Sequence, residues 1–469
     1  MLCHGCRRAA QPLRQLGSIR HVGADVFPGS SIVQARAERR RKKADIETSE
    51  DPLAEPTTIK ARRKRQSRAL LASVEAIPSP KIRNLVKEVN DDPDTSLAML
   101  RKYAWSSPTV GNATLLDAAL QQTELASHKG KLVLEMNPGP GVLTEAVIRH
   151  MQPNRYICLE PRQTFHKYLT RLAPQMSAPS NFQIVKEDGY DWSTYKTLEQ
   201  EAYLPRDQFS HPRDEVNPHF VFIASPAENA MDQLVAQWME TLGTHSWLQR
   251  YGRVRMLLLV NQSTRARMLA SPGSSLRTRG TFVREAVCEV KEIIHTPWIL
   301  NKEKKSLKSP WLQDFKDLPQ TSASLVATPQ DFFPMSNMSM VELTPFAKCK
   351  ITAPWETFDY ICKALLIHRT TPLYRQMRQI ASGAYKILED VSDELKLKTP
   401  AQMTVEEMNL VAEAFERWPF RPDVLQTEAP EPGDTRSGSE LRQYYQNRIS
   451  GASSDKWGMP DTLKKKSSI

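Results

Sequence analysis

Three acids have the type and placement to do chemistry. Glu135, Glu160 and Asp188 each fall at or just past the end of a short apolar run, KLVLEM, YICLE and FQIVKED. Between the first two lies the stretch EMNPGPGVLT, which carries Asn137, Gly139 and Gly141. Glycines in such a turn let the backbone take left-handed angles and approach a ligand closely. Glu160 stands 19 residues beyond Gly141. That interval suits a carboxylate that accepts hydrogen bonds from both hydroxyls of a ribose, the arrangement found in dinucleotide folds. Asp188 can accept from an adenine amino group. Together the set predicts a nucleoside pocket, against the plainer alternative of acids that merely mark where strands meet solvent.

The elements that must position these residues can be read from periodicity. Lys131–Met136, Tyr156–Glu160, Phe182–Lys186, Phe220–Ala224 and Val254–Val260 are apolar runs of strand length, with Phe165–Leu172, Met231–Leu242 and Thr264–Ala270 as helices among them. Ala286–Ile294 and Met338–Leu343 alternate as a last strand pair. Strands alternating with helices predict a mostly parallel α/β sheet. Leu115, Leu116, Ala119 and Leu120 give one more helical face ahead of the first strand. From 355 to 425 the spacing is helical, through Phe358, Ile361, Cys362 and Leu365, then Tyr385, Leu388 and Val391, then Met408, Val411, Ala412 and Phe415. Thr404-Val405-Glu406-Glu407 reads as a capped helix start.

Composition bounds the partners. Of the formal net charge of +11, residues 1–70 hold 16 Lys/Arg against 7 Asp/Glu. The remainder is close to neutral, so nucleic-acid binding would have to rest on local patches rather than a global field. Arg7, Arg8, Arg14 and Arg20 precede the first acid, Asp25, with Leu2, Leu13, Leu16 and Ile19 interleaved. This pattern predicts a mitochondrial transit peptide over 1–24, and hence the matrix. Residues 25–79 read as a disordered basic linker, 80–350 as the α/β domain, 351–425 as a helical domain and 426–469 as a flexible tail. No apolar run reaches membrane-spanning length. Six scattered cysteines suggest no disulfide framework, and Cys3-His4-Gly5-Cys6 lacks a second pair, so no metal is expected.

The stretch Glu135–Thr144 resembles the first motif of the rRNA adenine N6-dimethyltransferase family. Glu160 matches the acid of that family's second motif, and Glu187-Asp188-Gly189 resembles the third. Gln262–Gly273 resembles the segment after the fifth strand. Phe332-Phe333-Pro334 with Met338–Pro345 resembles the stretch leading into the last strand, and the region around His368-Arg369-Thr370 the helical appendage. The similarity covers roughly residues 110–425. It implies a Rossmann-like class I methyltransferase fold, with a seven-stranded, mostly parallel sheet and a small all-helical C-terminal domain. It also implies S-adenosylmethionine as cofactor, with Glu135, Asn137, Gly139, Gly141, Glu160 and Asp188 as its contacts and rRNA as a possible substrate.

Two departures from the pattern bear on activity. Asn137 stands where the family has glycine, which predicts weakened cofactor binding. The fourth motif, normally Asn-Leu-Pro-Tyr or a near relative, reads Ala224-Ser225-Pro226-Ala227. In the family that asparagine accepts from the target adenine's amino group and the aromatic ring stacks on the base. Neither group is present here, unless Asn229 or Phe222 substitutes, and extruding a base normally relies on such contacts. A transit-like leader with a broken fourth motif resembles one branch of the family, the fungal mitochondrial transcription initiation factors. That branch implies a non-catalytic partner of a single-subunit mitochondrial RNA polymerase that holds melted promoter DNA. Single-strand binding needs cations and aromatic platforms. The expected contacts are Arg253, Arg255, Arg265, Arg267, Arg277 and Arg279, with Tyr103, Trp105 and Trp192 for stacking. The alternative is an active mitochondrial rRNA adenine N6-dimethyltransferase.

Overall fold

A computed structural model of the protein describes residues 73–90, 108–127, 131–226, 231–297, 324–422 and 425. The expected transit peptide, most of the linker, the C-terminal tail, Tyr103, Trp105, Ala227, Asn229, Cys3 and Cys6 lie outside the described residues.

The centre is a parallel ladder built from the apolar runs. Strands β1 (Leu132–Met136), β2 (Arg155–Leu159), β3 (Phe182–Val185), β4 (Val216–Ala224) and β5 (Arg253–Asn261) are joined by helical crossovers. Next come β6 (Cys288–His295) and β7 (Met338–Pro345). The order across the sheet is β3-β2-β1-β4-β5-β7-β6. All neighbours from β3 to β5 pair in parallel, while β7 runs antiparallel to both β5 and β6. The last two predicted strands do pair, as expected, and the fold is the Rossmann-like methyltransferase fold. The sheet gains an eighth member, because Leu325–Val326 adds a two-residue parallel edge to β6. Thr109–Val110 pairs with Phe332–Phe333 in a separate small ladder.

Strands covered on both faces must be apolar throughout rather than alternating. β1 is buried at every position, and so are the last five residues of β4 and the seven inner residues of β5. The strand order reverses between β1 and β4, and ligands in open α/β sheets bind at the carboxyl ends of strands at such a switch point. Met136 pairs with Ala224 there, which places the first and fourth motifs side by side.

Three boundaries differ from expectation. The folded body includes residues before 80: Val74 and Ile77 are core residues, so 73–79 are no part of a linker. Ser79 caps α1 (Pro80–Val89) by accepting from the Ile82 N–H at 3.2 Å, and its hydroxyl donates to the Gly111 carbonyl at 2.6 Å. Ala286 and Val287 end helix α8 (Arg279–Val287) instead of opening β6. The Tyr385–Val391 periodicity corresponds to a 3-10 run, Ala384–Asp390, with Tyr385 facing solvent.

The other longer helices of the α/β part are α2 (Ala113–Gln122), α3 (Val142–Met151), α4 (Gln163–Thr170), α5 (Trp192–Gln200), α6 (Met231–Thr244) and α7 (Gln262–Met268). The longer C-terminal helices are α9 (Trp355–Leu366), α10 (Leu373–Ile380) and α11 (Val405–Arg417). The cap read at Thr404 is present: its side chain accepts from the Glu407 N–H, and Glu407 accepts in return from the Thr404 N–H at 3.0 Å. One small residue sits where the helical part packs on the α/β part. Gly243, near the end of α6, lies flat against the Trp355 ring, and a β-carbon there would overlap that ring. Replacing Gly243 with Ala gains about 1 kcal/mol of helix propensity and costs roughly 1–3 kcal/mol or more in overpacking. We expect Gly243→Ala to lower the melting temperature by several degrees, with Trp355→Leu in the same chain recovering part of the loss; an unchanged melting curve would contradict this packing.

Candidate functional site

The turn between β1 and α3 holds three residues in left-handed conformation: Asn137 (φ 57°), Gly139 (φ 59°) and Gly141 (φ 77°). The two glycines have different reasons to be there. A β-carbon on Gly141 would press on Leu169 and Leu172 at 2.9 and 3.1 Å, so that glycine lets α3 and α4 approach. A β-carbon on Gly139 would meet nothing within 4 Å, so it faces open space. Asn137 takes the unusual backbone angle that asparagine tolerates. Its side-chain N–H groups point to the Tyr190 hydroxyl at 3.3 Å and the Ser225 carbonyl at 3.5 Å. It thus spans the mouth between the first, third and fourth motifs and is itself buried.

The acids of the expected nucleoside pocket are arranged differently from expectation. Glu160 is fully buried. One of its oxygens accepts from the Gly139 N–H at 3.0 Å and from Arg162 Nη2 at 2.7 Å. The other accepts from Arg162 Nε at 2.6 Å and from the Arg162 N–H at 3.1 Å. The guanidinium also lies over the Phe165 ring, 4.7 Å from its centroid. A bidentate guanidinium matches a carboxylate in the same planar way that two ribose hydroxyls would. The group expected to hold a ribose therefore holds Arg162. Asp188 is exposed and accepts from the Tyr190 N–H at 3.0 Å, which shapes its own turn.

Glu135 points into the core and not into the cleft, a correction to its placement among cofactor contacts. It accepts from the Thr144 and Tyr156 hydroxyls, both at 2.6 Å, while its second oxygen is buried with no partner among the described residues. Burial raises its carboxyl to about 7, opposed by those two hydrogen bonds.

S-adenosylmethionine does not fit these residues as they stand. Both oxygens of Glu160 are engaged, and the Asn137 side chain crosses the mouth where the family's glycine leaves room. Only the opening beside Gly139 and the exposed Asp188 retain the expected character. The fourth motif offers no replacement. Ala224, Ser225 and Pro226 are buried, with the Ser225 N–H donating to the Met136 carbonyl at 3.1 Å. Phe222 is fully buried among Trp238 and Trp247, at centroid distances of 5.3 and 5.1 Å, and cannot stack on a base. Trp192 is half-buried and packs edge-on against Trp247 at 5.5 Å.

The arginines expected to contact nucleic acid are mostly engaged within the fold. Arg255 is buried between Glu342 at 3.3 Å and Glu124 at 2.6 Å. Arg265 is buried against Glu292. Arg277 is fully buried, bidentate to Glu285 at 2.8 and 2.9 Å, and donates to the Ala270 and Met403 carbonyls. These three are structural groups, and the surface role expected of them is corrected. Arg279 pairs with Asp359 and, at 3.6 Å, with Glu240. Arg267 pairs with Asp232 at 2.5 Å and is 40% exposed. Arg253 donates to the Pro345 and Asp214 carbonyls, each at 2.8 Å. Among the described residues no cluster of His, Cys, Asp and Glu could hold a metal ion, and no helix is long and apolar enough to cross a membrane.

The family model for ribosomal RNA adenine dimethylase matches residues 102–417. The chain belongs to that family. It is 30% identical over 331 residues to Mitochondrial transcription factor 1 of Saccharomyces paradoxus, spanning 69% of this chain and 90% of that protein. It is 20% identical over 352 residues to human Dimethyladenosine transferase 1, mitochondrial, spanning 72% and 86%. A solved dimethyladenosine transferase from Plasmodium falciparum superposes with a TM-score of 0.42 at 14% identity, covering 66% of this chain and 97% of that one. Within this family member, the residue that sequence reasoning missed is Arg162. Its signal was present, since an arginine two positions after an acid at a strand end can fold back onto it.

Two measurements check this geometry. Removing one partner of a buried ion pair typically costs about 3–5 kcal/mol, so Arg162→Ala should destabilise the fold by that order, and Glu160→Gln in the same chain should recover part of it. Calorimetry of the native chain with S-adenosylmethionine should show no tight binding, and a micromolar dissociation constant would overturn the misfit. A further check uses Glu135. Its carboxyl binds a proton more tightly folded than unfolded, so its contribution is fully present below the unfolded value near 4.5 and is lost as pH rises through about 7. Glu135→Gln should flatten that decline, worth on the order of 3 kcal/mol, in denaturant titrations between pH 4.5 and 7.5; an identical slope in both proteins would refute it.

Proposed function

We propose that this protein is a mitochondrial transcription initiation factor, acting in the matrix on an inherited and inactive dimethyltransferase frame. In this reading it assists a single-subunit mitochondrial RNA polymerase at promoters and holds the melted DNA strand. One observation carries the loss of catalysis. At the switch point, where the target base would be gripped, the chain presents Ala224, Ser225 and Pro226, without an amide acceptor. The engagement of Glu160 by Arg162 points the same way, because the cofactor's ribose has no free carboxylate. Similarity to a protein named a mitochondrial transcription factor, along 90% of that protein's length, supports the positive half of the reading. The cleaved leader, basic linker and C-terminal tail read from the sequence belong to the same proposal.

A second reading keeps the ancestral reaction, methyl transfer from S-adenosylmethionine to adenine in mitochondrial rRNA. It is favoured by the open space beside Gly139 and by the exposed Asp188. Two assays separate the readings. Runoff transcription with the cognate polymerase should show promoter-dependent stimulation by the native chain, and labelled methyl transfer to a small-subunit rRNA fragment should give none. Robust transfer that is lost in Asp188→Ala, with no effect on runoff, would overturn the transcription reading.

A further inference from the structure

The C-terminal helices carry a stripe that the sheet-end cleft does not involve. α10 buries Leu373, Gln376 and Met377 and turns Tyr374, Arg375 and Arg378 to solvent. Arg378 lies four positions after Tyr374 and three after Arg375, spacings that share a helix face. The Arg375 guanidinium lies 5.5 Å from the Tyr374 ring centroid, and its Nε donates to the Tyr374 hydroxyl at 2.9 Å. Arg378 lies 6.0 Å from the ring of Tyr385, on the 3-10 run that follows. Tyr374 is 37% exposed and Tyr385 48%, and Lys386 beside it is exposed as well. Among the described residues neither Arg375 nor Arg378 is in ion-pair reach of a carboxylate. Glu389 and Asp390, exposed at the end of the same 3-10 run, are the acids nearest in sequence.

This arrangement contrasts with Arg255, Arg265 and Arg277, whose charges are neutralised inside the fold. Here two cations are left uncompensated, each set against an exposed aromatic ring. Exposed cation–π contacts contribute only about 0.5–1 kcal/mol each, so stability alone gives little reason for the pattern. A single strand of nucleic acid matches it in both respects, with phosphates for the guanidinium groups and base faces for the rings. Duplex DNA would hide the base faces, and an acidic protein surface would leave the rings without a stacking partner.

We propose that α10 and the segment through Lys386 bind a single-stranded stretch of nucleic acid, as a surface separate from the sheet-end cleft. The proposal rests on the transcription reading for its biological setting and on this stripe for its location. The test is fluorescence anisotropy of the full chain with a labelled oligothymidylate across a salt series. Removing one arginine–phosphate interaction should make the log–log salt slope shallower by about 0.7, so Arg375→Gln with Arg378→Gln should reduce it by about 1.4 and weaken binding at low salt roughly tenfold. Tyr374→Leu with Tyr385→Leu should weaken binding by a similar factor, because base stacking is removed, with the slope unchanged. Arg375→Lys with Arg378→Lys should keep the slope. Circular dichroism melting of each variant identifies any misfolded one, and the other pairs then decide. If the native chain binds and all folded variants bind equally, the proposal fails, while runoff stimulation would leave the transcription reading standing. If the native chain binds no oligonucleotide, the proposal fails again, and the runoff assay alone judges that reading. Variants that keep oligonucleotide affinity but no longer co-elute with the polymerase would make the stripe a protein-docking face and overturn the assignment.

Discussion

The parallel pairing of β1 with β4 is the constraint on which the rest of the molecule depends. It sets Met136 beside Ala224 and so brings the glycine turn and the fourth motif to one crevice. Every residue in the ladder is apolar and buried except Glu135, so the pairing rests on burial and backbone hydrogen bonds rather than on any group that touches a ligand. That separation has a consequence for function. The last residue of β4 and the loop beyond it can carry alanine in place of the family's asparagine and aromatic residue without disturbing the pairing that positions them. Catalysis in this fold is carried by side chains at strand ends, and the frame is carried by side chains within strands.

The crevice also has to remain stable without a ligand. A buried carboxylate with no counter-charge is costly, and Glu160 has no solvent exposure. Arg162 resolves that internally, with Gly139 supplying one more hydrogen bond from the turn. The result cross-links the first motif to the end of β2 through the chain's own groups. Asn137 adds a link toward Ser225 and Tyr190. The turn keeps the left-handed backbone of a cofactor cradle, while the polar groups that would read a nucleoside are turned on one another.

Much of the fold was legible because it rests on periodicity. Seven strands, their order in the chain, the pairing of the last two and the Thr404 cap all follow from apolar runs and local capping chemistry, while the antiparallel direction of that last pair is seen only in the structure. The misses have local physical causes. Val74 and Ile77 are too short a signal to stand out from a polar stretch, yet both are core residues. Leu325–Val326 is a two-residue edge that no periodicity can announce. The site was less legible than the fold. Glu160 was found by its interval, but its partner Arg162 was not, because a carboxylate's role depends on what reaches it in space. Glu135 was misplaced for a related reason: strand residues alternate faces, and a one-residue difference decides between the cleft and the core.

The arginines show the same limit most clearly. Arg255, Arg265 and Arg277 sit in basic stretches that read as surface, but Glu342, Glu292 and Glu285 come from distant or facing elements to neutralise them. Two of those acids lie in strands β7 and β6, in apolar contexts where a charge looks like an exception. A buried acid in a strand and an unexplained arginine elsewhere are two halves of one observation, and only the sheet order joins them. Conversely, Arg375 and Arg378 lie on a helix whose apolar face is short, and nothing in their surroundings marks them out in sequence. What distinguishes them is the lack of an acid within reach among the described residues and the presence of Tyr374 and Tyr385 beneath them. Charge in this protein is therefore informative by residue and not by region: where a cation is already paired it holds the fold together, and where it is left over beside an exposed ring it can meet a partner.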